Sequence, residues 1–325
     1  GADGRGIASL LSSDGLLYGG GGNCGEPPAR QFRWAVRNLA RHFPWGEVAR
    51  LRRKPIAVIG VGAGPVSNSF FKNRLSKLIR AASVVAARDI ESRKFLEGLG
   101  RSSVILTADA ALALQKDDVP IDYKRRARNL LEELPAGINV VVHLAASDSF
   151  SNKMALIERD LKALLQRFSS LNYIFITDEM GSDMHPVARH VATAAPYRSR
   201  MVPYADPWTT VALLGQADMV ITTKLHVGIV ASAQSTPTLS LPIHSKTPRF
   251  WKQIEALERC IPLSMIALGD LERLVQQQIE TSAELSIPAA IRDQALLNRS
   301  ILQQWVFEVV ANKVMRNQSR NQTST

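Results

Sequence analysis

Two cysteines in 325 residues, Cys24 and Cys260, are too few and too far apart for a disulfide framework or a cysteine-ligated zinc. That scarcity suits a reducing compartment. No stretch approaches the roughly 18 uninterrupted apolar residues of a membrane-spanning helix. The longest apolar runs, such as Ile56–Val61, are strand-sized. The opening GADGRGIASLL has no basic start followed by an apolar block and does not read as a signal peptide. These absences predict a cytoplasmic protein. Chemical signatures are missing too: no DxD triplet for a metal–sugar-nucleotide site, no His/Cys/Asp cluster at metal spacing, and no GxSxG elbow. Neither a metal nor a cofactor is expected. Aromatic residues make up only 6% of the chain, with no stacking platform and no nucleic-acid recognition motif.

Acidic residues are also in short supply, 29 against 40 basic ones, for a net charge of +11. The imbalance is sharpest from Arg30 to Lys54, where eight basic residues face one acid, Glu47. Arg30, Arg33, Arg37 and Arg41 recur at helical spacings and share one face. A solvated helix face is the plain reading of that pattern. The sharper one is a patch for an anionic partner, either headgroups at the inner face of the cytoplasmic membrane or a lipid pyrophosphate. Charge alone would allow nucleic acid, but without a motif none is expected.

The apolar content of 46% supplies two cores rather than one. Short Val/Ile-rich runs alternate with segments whose apolar residues recur every three or four positions. Strands are predicted at 15–18, 55–61, 83–87, 104–106, 139–144, 173–176, 201–202, 219–222 and 238–241. Helices are predicted at 68–82, 90–99, 121–133 and 151–168. Strands apolar on both faces and separated by helices indicate parallel sheets covered on both sides. The expected class is therefore α/β, with two Rossmann-like domains facing a cleft and a C-terminal helical extension. The polar, proline-bearing KDDVPID at Lys116–Asp122 sets the expected break. That gives domains at 1–118 and 119–287, terminal helices at 288–316, and a disordered polar tail at 317–325.

Ligands of open α/β sheets bind beyond the carboxyl ends of the strands, so the residues just after each strand are the candidates. After the first come Gly20, Gly21, Gly22, Asn23 and Glu26, in a glycine run able to form an anion-binding nest or simply a flexible turn. GVGAGP at Gly60–Pro65 is a second such turn. Arg88 follows the third strand, beside Asp89, a candidate helix cap; Arg88 could bind a planar anion or pair locally with Asp89 or Glu91. The most informative junction is ITTKLHVGIVASA, Ile221–Ala233. With a helix starting at Val227, Lys224 and His226 share an extended face, Leu225 turns inward and Gly228 leaves room for a ligand. Lysine, imidazole and helix N-terminus then converge on an anion. His244, Lys246 and Arg249 add a cationic loop, while His143 and Thr177-Asp178-Glu179 are acceptor-side candidates. Cys24 has no identifiable partner base.

The ordered set SSDGLLYGGGGN, AVIGVGAGP, VVAARDIESRKFLEGLG, ILTADAALAL and ADMVITTKLHVGIVASAQSTPTLSLPIHSK, spanning Ser12 to Lys246, resembles the polysaccharide pyruvyl transferase family. The resemblance implies a glycosyltransferase-B-like fold and transfer of the enolpyruvyl group of phosphoenolpyruvate onto a sugar. The expected product is a pyruvate ketal on a cell-surface or capsular glycan or its lipid-linked precursor, with phosphate released. The family's RDxxS arginine falls on Arg88, its RLH segment on Lys224-Leu225-His226, and a later lysine on Lys246. The acidic residue of a GGGNxGD turn becomes Glu26. Lysine at 224 keeps the charge of the family arginine and loses its bidentate fork. The resemblance implies donor contacts from Arg88, Lys224 and Lys246, and His226 is the candidate general acid. The family's first βα unit is expected to be missing ahead of Gly1. The competing readings are a nucleotide-sugar-dependent glycosyltransferase of the same fold and a non-catalytic anion- or membrane-binding relative.

Overall fold

The computed structural model describes residues 4–26, 31–145, 150–243, 247–281 and 284–322. Contacts divide the chain into two compact units, Gly1–Ala110 with Ala289–Thr325, and Ala111–Pro288. The break thus lies eight residues before the expected position at 118.

The first unit begins with a helix the sequence reading did not anticipate, α1 (Gly4–Ser12), followed by β1 (Leu16–Tyr18) and β2 (Gly21–Cys24). Helices α2 (Gln31–Arg41) and α3 (Phe43–Leu51) lead into β3 (Ile56–Ala63). Then come α4 (Ser69–Ala81), β4 (Val84–Ala87), α5 (Ile90–Glu97) and β5 (Ile105–Leu106). The sheet is parallel, in the order β1-β3-β4-β5, with β2 also paired to β3. Every residue of β3 is buried. Alternation along that strand divides its side chains between two cores. Ile56 and Val58 face a core with Phe71, Leu75 and Ile79, while Ala57 and Ile59 face one with Ile301 and Trp305. Asn68 and Asp89 cap α4 and α5 through their side chains, accepting from the amides of Phe71 and Ser92.

The second unit holds α6 (Ile121–Glu132), β6 (Ile138–His143), α7 (Ser151–Arg167), β7 (Leu171–Ile176), α8 (Pro186–Ala194) and β8 (Ser199–Val202). These are followed by α9 (Pro207–Gln216), β9 (Met219–Thr222), α10 (Leu225–Ala233), β10 (Thr238–Ser240), α11 (Thr247–Gln253) and α12 (Asp270–Thr281). The strands run parallel in the order β10-β9-β6-β7-β8. Period-two alternation again feeds two cores: Val140, Val142, Tyr173, Phe175 and Ile221 on one face, Val141, Ile174, Ile176 and Val220 on the other. Asp160, buried in α7, accepts from the amides of Gly269, Leu271 and Glu272 and so closes the start of α12.

The C-terminal helical segment is one helix, α13 (Ala289–Gln322). It belongs to the first unit, where Trp305 packs over Ala57 and Ala86 and its indole donates to Ser83 Oγ at 2.9 Å. The helix continues into the segment expected to be disordered, and residues 323–325 lie outside the described structure. No helix among the described residues is long and apolar enough to cross a membrane.

Candidate functional site

At the carboxyl ends of the central strands of the second unit, four side chains meet. β6 lies between β7 and β9, and His143 is its last residue. Asp178 follows β7 and Lys224 follows β9. Lys224 Nζ lies 2.5 Å from Asp178 Oδ2 and 2.8 Å from Glu179 Oε1, while His143 Nε2 lies 3.0 Å from Asp178 Oδ1. One carboxylate therefore serves a buried imidazole with one oxygen and an ammonium with the other. An ionised carboxylate can only accept, so Nε2 carries the imidazole hydrogen in this arrangement. Nδ1 points toward Thr222 Oγ1, 3.5 Å away.

The electrostatics follow from that geometry. Burial works to raise the Asp178 carboxyl pKa, but the hydrogen bonds and charges of His143 and Lys224 outweigh it and hold it down at about 2. For Lys224, burial pulls the ammonium pKa down, and Asp178 and Glu179 together raise it above the ordinary lysine value. Glu179 is 68% exposed against 20% for Asp178, so the two carboxylates differ in how firmly they are held.

Local chain geometry puts Lys224 at this point. Thr222 Oγ1 accepts from the Lys224 amide at 3.0 Å, and the amide of Gly228 donates to the Lys224 carbonyl, so the helix is already turning at Leu225. Lys224 is consequently the N-cap residue of α10, extended at φ −109°, ψ 131°. The helix starts two residues earlier than expected. His226 lies in its first turn, exposed, and does not share an extended face with Lys224; Leu225 is half-buried rather than turned fully inward. Gly228 packs against Thr222 and Trp251 instead of opening onto ligand space.

The remaining predicted residues fall elsewhere. Gly20, Gly21, Gly22, Asn23, Glu26 and Arg88 belong to the first unit; Lys224 and His226 belong to the second. The glycine run does not form a nest. Gly21–Cys24 is a strand whose Gly21 and Cys24 pair with Val61 and Ala63, continuing along β3 where β1 leaves off. Gly21 has φ 116°, a conformation that favours glycine, and a Cβ on Gly20 would come within a tight 3.3 Å of the Gly60 carbonyl. Glu26 is buried and accepts from Ser67 N and Oγ and from Asn68 N, fixing the turn ahead of α4. Arg88 is buried as well. Its Nη1 contacts Asp109 Oδ2 at 2.7 Å, Asp89 lies 4.0 Å from Nε, and the guanidinium lies flat on Gly62. Asp109 was not singled out by the sequence reading. The alternation that placed the strand ends brought out His143, Asp178 and Glu179 individually, but their joining to Lys224 depends on strand order. Lys246 and His244 lie outside the described residues.

The model of the family described as polysaccharide pyruvyl transferase matches residues 3–245. The chain belongs to the polysaccharide pyruvyl transferase family. No curated protein sequence matches it significantly. Among solved structures it is similar to the UDP-GlcNAc 2-epimerase of Neisseria meningitidis, bound to UDP-GlcNAc, at TM-score 0.63 and 11% identity, over 92% of this chain and 78% of that one. The UDP-N-acetylglucosamine 2-epimerase of Rickettsia bellii follows the same path at TM-score 0.54 and 13% identity, over 87% and 80%. A UDP-forming α,α-trehalose-phosphate synthase from Burkholderia xenovorans does so at TM-score 0.51 and 12% identity, over 95% and 76%. These likenesses establish the fold class of this pyruvyl transferase family member as glycosyltransferase-B type, and at such identities they speak for the fold alone.

Proposed function

We propose that the chain is a ketal pyruvyltransferase that uses phosphoenolpyruvate as donor. The observation that carries this reading is the placement of Lys224 as N-cap of α10 at the carboxyl end of β9, since an ammonium and a neighbouring helix N-terminus both favour an anion. Phosphoenolpyruvate presents a carboxylate and a phosphate. Its anion would displace the exposed Glu179 from Lys224, while Asp178, anchored by His143, continues to position the ammonium.

The reaction then needs an acid. Protonation of the donor methylene creates an oxocarbenium-like carbon, which a sugar hydroxyl attacks with loss of its proton. Phosphate departs as hydrogen phosphate, carrying one hydroxyl proton, and attack by a second hydroxyl of the same sugar completes the ketal and returns its proton to the acid, replacing the one given to the methyl carbon. His226, exposed in the first turn of α10, is the proposed acid, since an imidazole near a bound anion favours its charged form. The proposed acceptor is a glycan or a lipid-linked oligosaccharide.

Calorimetry of phosphoenolpyruvate, UDP and GDP against wild type and Lys224→Ala tests the donor. Selective binding of phosphoenolpyruvate, lost in the variant, supports the reading. Selective binding of a nucleotide would replace it with a nucleotide-sugar-dependent transferase of the same fold.

A further inference from the structure

The first unit contains a second cationic site at the opposite end of its sheet from Arg88. A groove of about 480 Å³ opens where the chain enters β3, lined by Asp14, Arg50, Arg53, Lys54, Pro55, Ile56, Ala81, Val309, Asn312 and Lys313. Four cationic side chains face one acid there, a lining charge of +3. Neutralisation is incomplete. Arg50 pairs with Glu47 and Lys313 with Asp14, but Lys54 Nζ donates to the carbonyls of Leu11 and Ser13, which carry no charge. Arg53 stands at φ 52°, a backbone conformation uncommon for a non-glycine residue.

The rim of this groove is apolar. Val309, Asn312 and Lys313 form one stripe of α13, and beside it Val306, Phe307, Val310 and Val314 occupy an arc of about 100° at the helical repeat. All four are exposed, Phe307 at 72%. Leu51, between the lining residues Arg50 and Arg53, is exposed to the same extent. Large side chains left in water beside unneutralised cations combine the two forces that hold a protein at an anionic lipid interface. α13 lies outside residues 3–245, so its apolar face is not part of the family match, although the groove residues from Asp14 to Ala81 are.

We propose that this groove binds the phosphate of an anionic phospholipid headgroup and that the exposed face of α13, with Leu51, enters the interfacial layer of a membrane. Arg53, Lys54 and Lys313 supply the charge recognition, and Phe307 and Val310 the apolar contact. The inference is independent of the donor and of the reaction assigned above. It also differs from the contact expected of the α2 arginines: Arg33, Arg37 and Arg41 are exposed but do not line the groove, and Arg30 is outside the described residues.

Co-sedimentation of the full chain with vesicles of phosphatidylcholine alone, or mixed with phosphatidylserine, tests the proposal. Binding is expected only to the mixed vesicles, weakening as salt rises. Arg53→Gln should lower partitioning about fivefold, the equivalent of about 1 kcal/mol for one cation near the surface. Asn312→Glu and Phe307→Ser should each lower it as well, with thermal unfolding unchanged. Equal binding to both vesicle types, no vesicle binding, or binding of soluble pyrophosphate alone would overturn it. So would full retention in Arg53→Gln and Asn312→Glu with loss in Arg33→Gln/Arg37→Gln, which would move the contact to α2.

Discussion

Lys224 and Asp178 close a 2.5 Å ion pair across the carboxyl end of β6, with His143 holding the other carboxylate oxygen from the strand between them. The pair joins residues 46 positions apart through a strand that precedes both, so it reports strand order rather than local sequence. Because its ammonium is still shared with an exposed Glu179, Lys224 is organised without being fully occupied.

Lys224→Ala should weaken phosphoenolpyruvate binding about 10- to 150-fold, the range of one charge-assisted hydrogen bond at about 1.5–3 kcal/mol. Lys224→Arg should stay within about tenfold of wild type, since it keeps the charge and offers a planar bidentate fork. Titration calorimetry on the three proteins checks both. Equal binding by Lys224→Ala and wild type would remove Lys224 from the donor site.

Glu179→Gln should do the opposite. The Glu179–Lys224 contact is an exposed ion pair, and such pairs contribute about 0.2–1 kcal/mol. Releasing it should tighten donor binding up to about fivefold. A weaker donor affinity in Glu179→Gln would mean that this carboxylate assists binding instead of competing for the ammonium.

The Asp178 carboxyl gives a pH signature whose sign is fixed. Its folded pKa of about 2 lies below its ordinary value near 3.8. A depressed carboxyl contributes stability above the unfolded value and loses it as pH falls toward the folded one. Wild type should therefore lose thermal stability between about pH 4 and pH 2 more steeply than Asp178→Asn. Parallel melting curves across that range would refute the assignment.

Much of the architecture was legible in the sequence because it depends on periodicity. Buried parallel strands such as Ile56–Ala63 and Met219–Thr222 announce themselves as runs of apolar β-formers, and Asp89 sits where a cap should. The misses have a common cause. Gly21–Cys24 offers only Cys24 as an apolar side chain to signal a strand, yet it pairs with β3, with Gly20 just before it passing close to Gly60. The start of α10 turns on the Thr222 hydroxyl, and the partners of Arg88 and Glu26 lie 21 and 41 or 42 residues away. Spacing along the chain contains neither of the last two sets of contacts.

Arg88 is built into the packing of the first unit. Its guanidinium is buried on Gly62 and paired with Asp109, so deleting it alone leaves a mostly buried carboxylate without that charge partner. Breaking a buried pair from one side costs about 3–5 kcal/mol, whereas replacing both partners with apolar residues is often close to neutral. Arg88→Met should therefore lower the unfolding free energy by about that amount, and Arg88→Met/Asp109→Leu should recover most of it. If the double variant is stable and still binds phosphoenolpyruvate with wild-type affinity, Arg88 holds the first unit together and has no part in the donor site. If it is stable and donor binding is lost, the arginine does both.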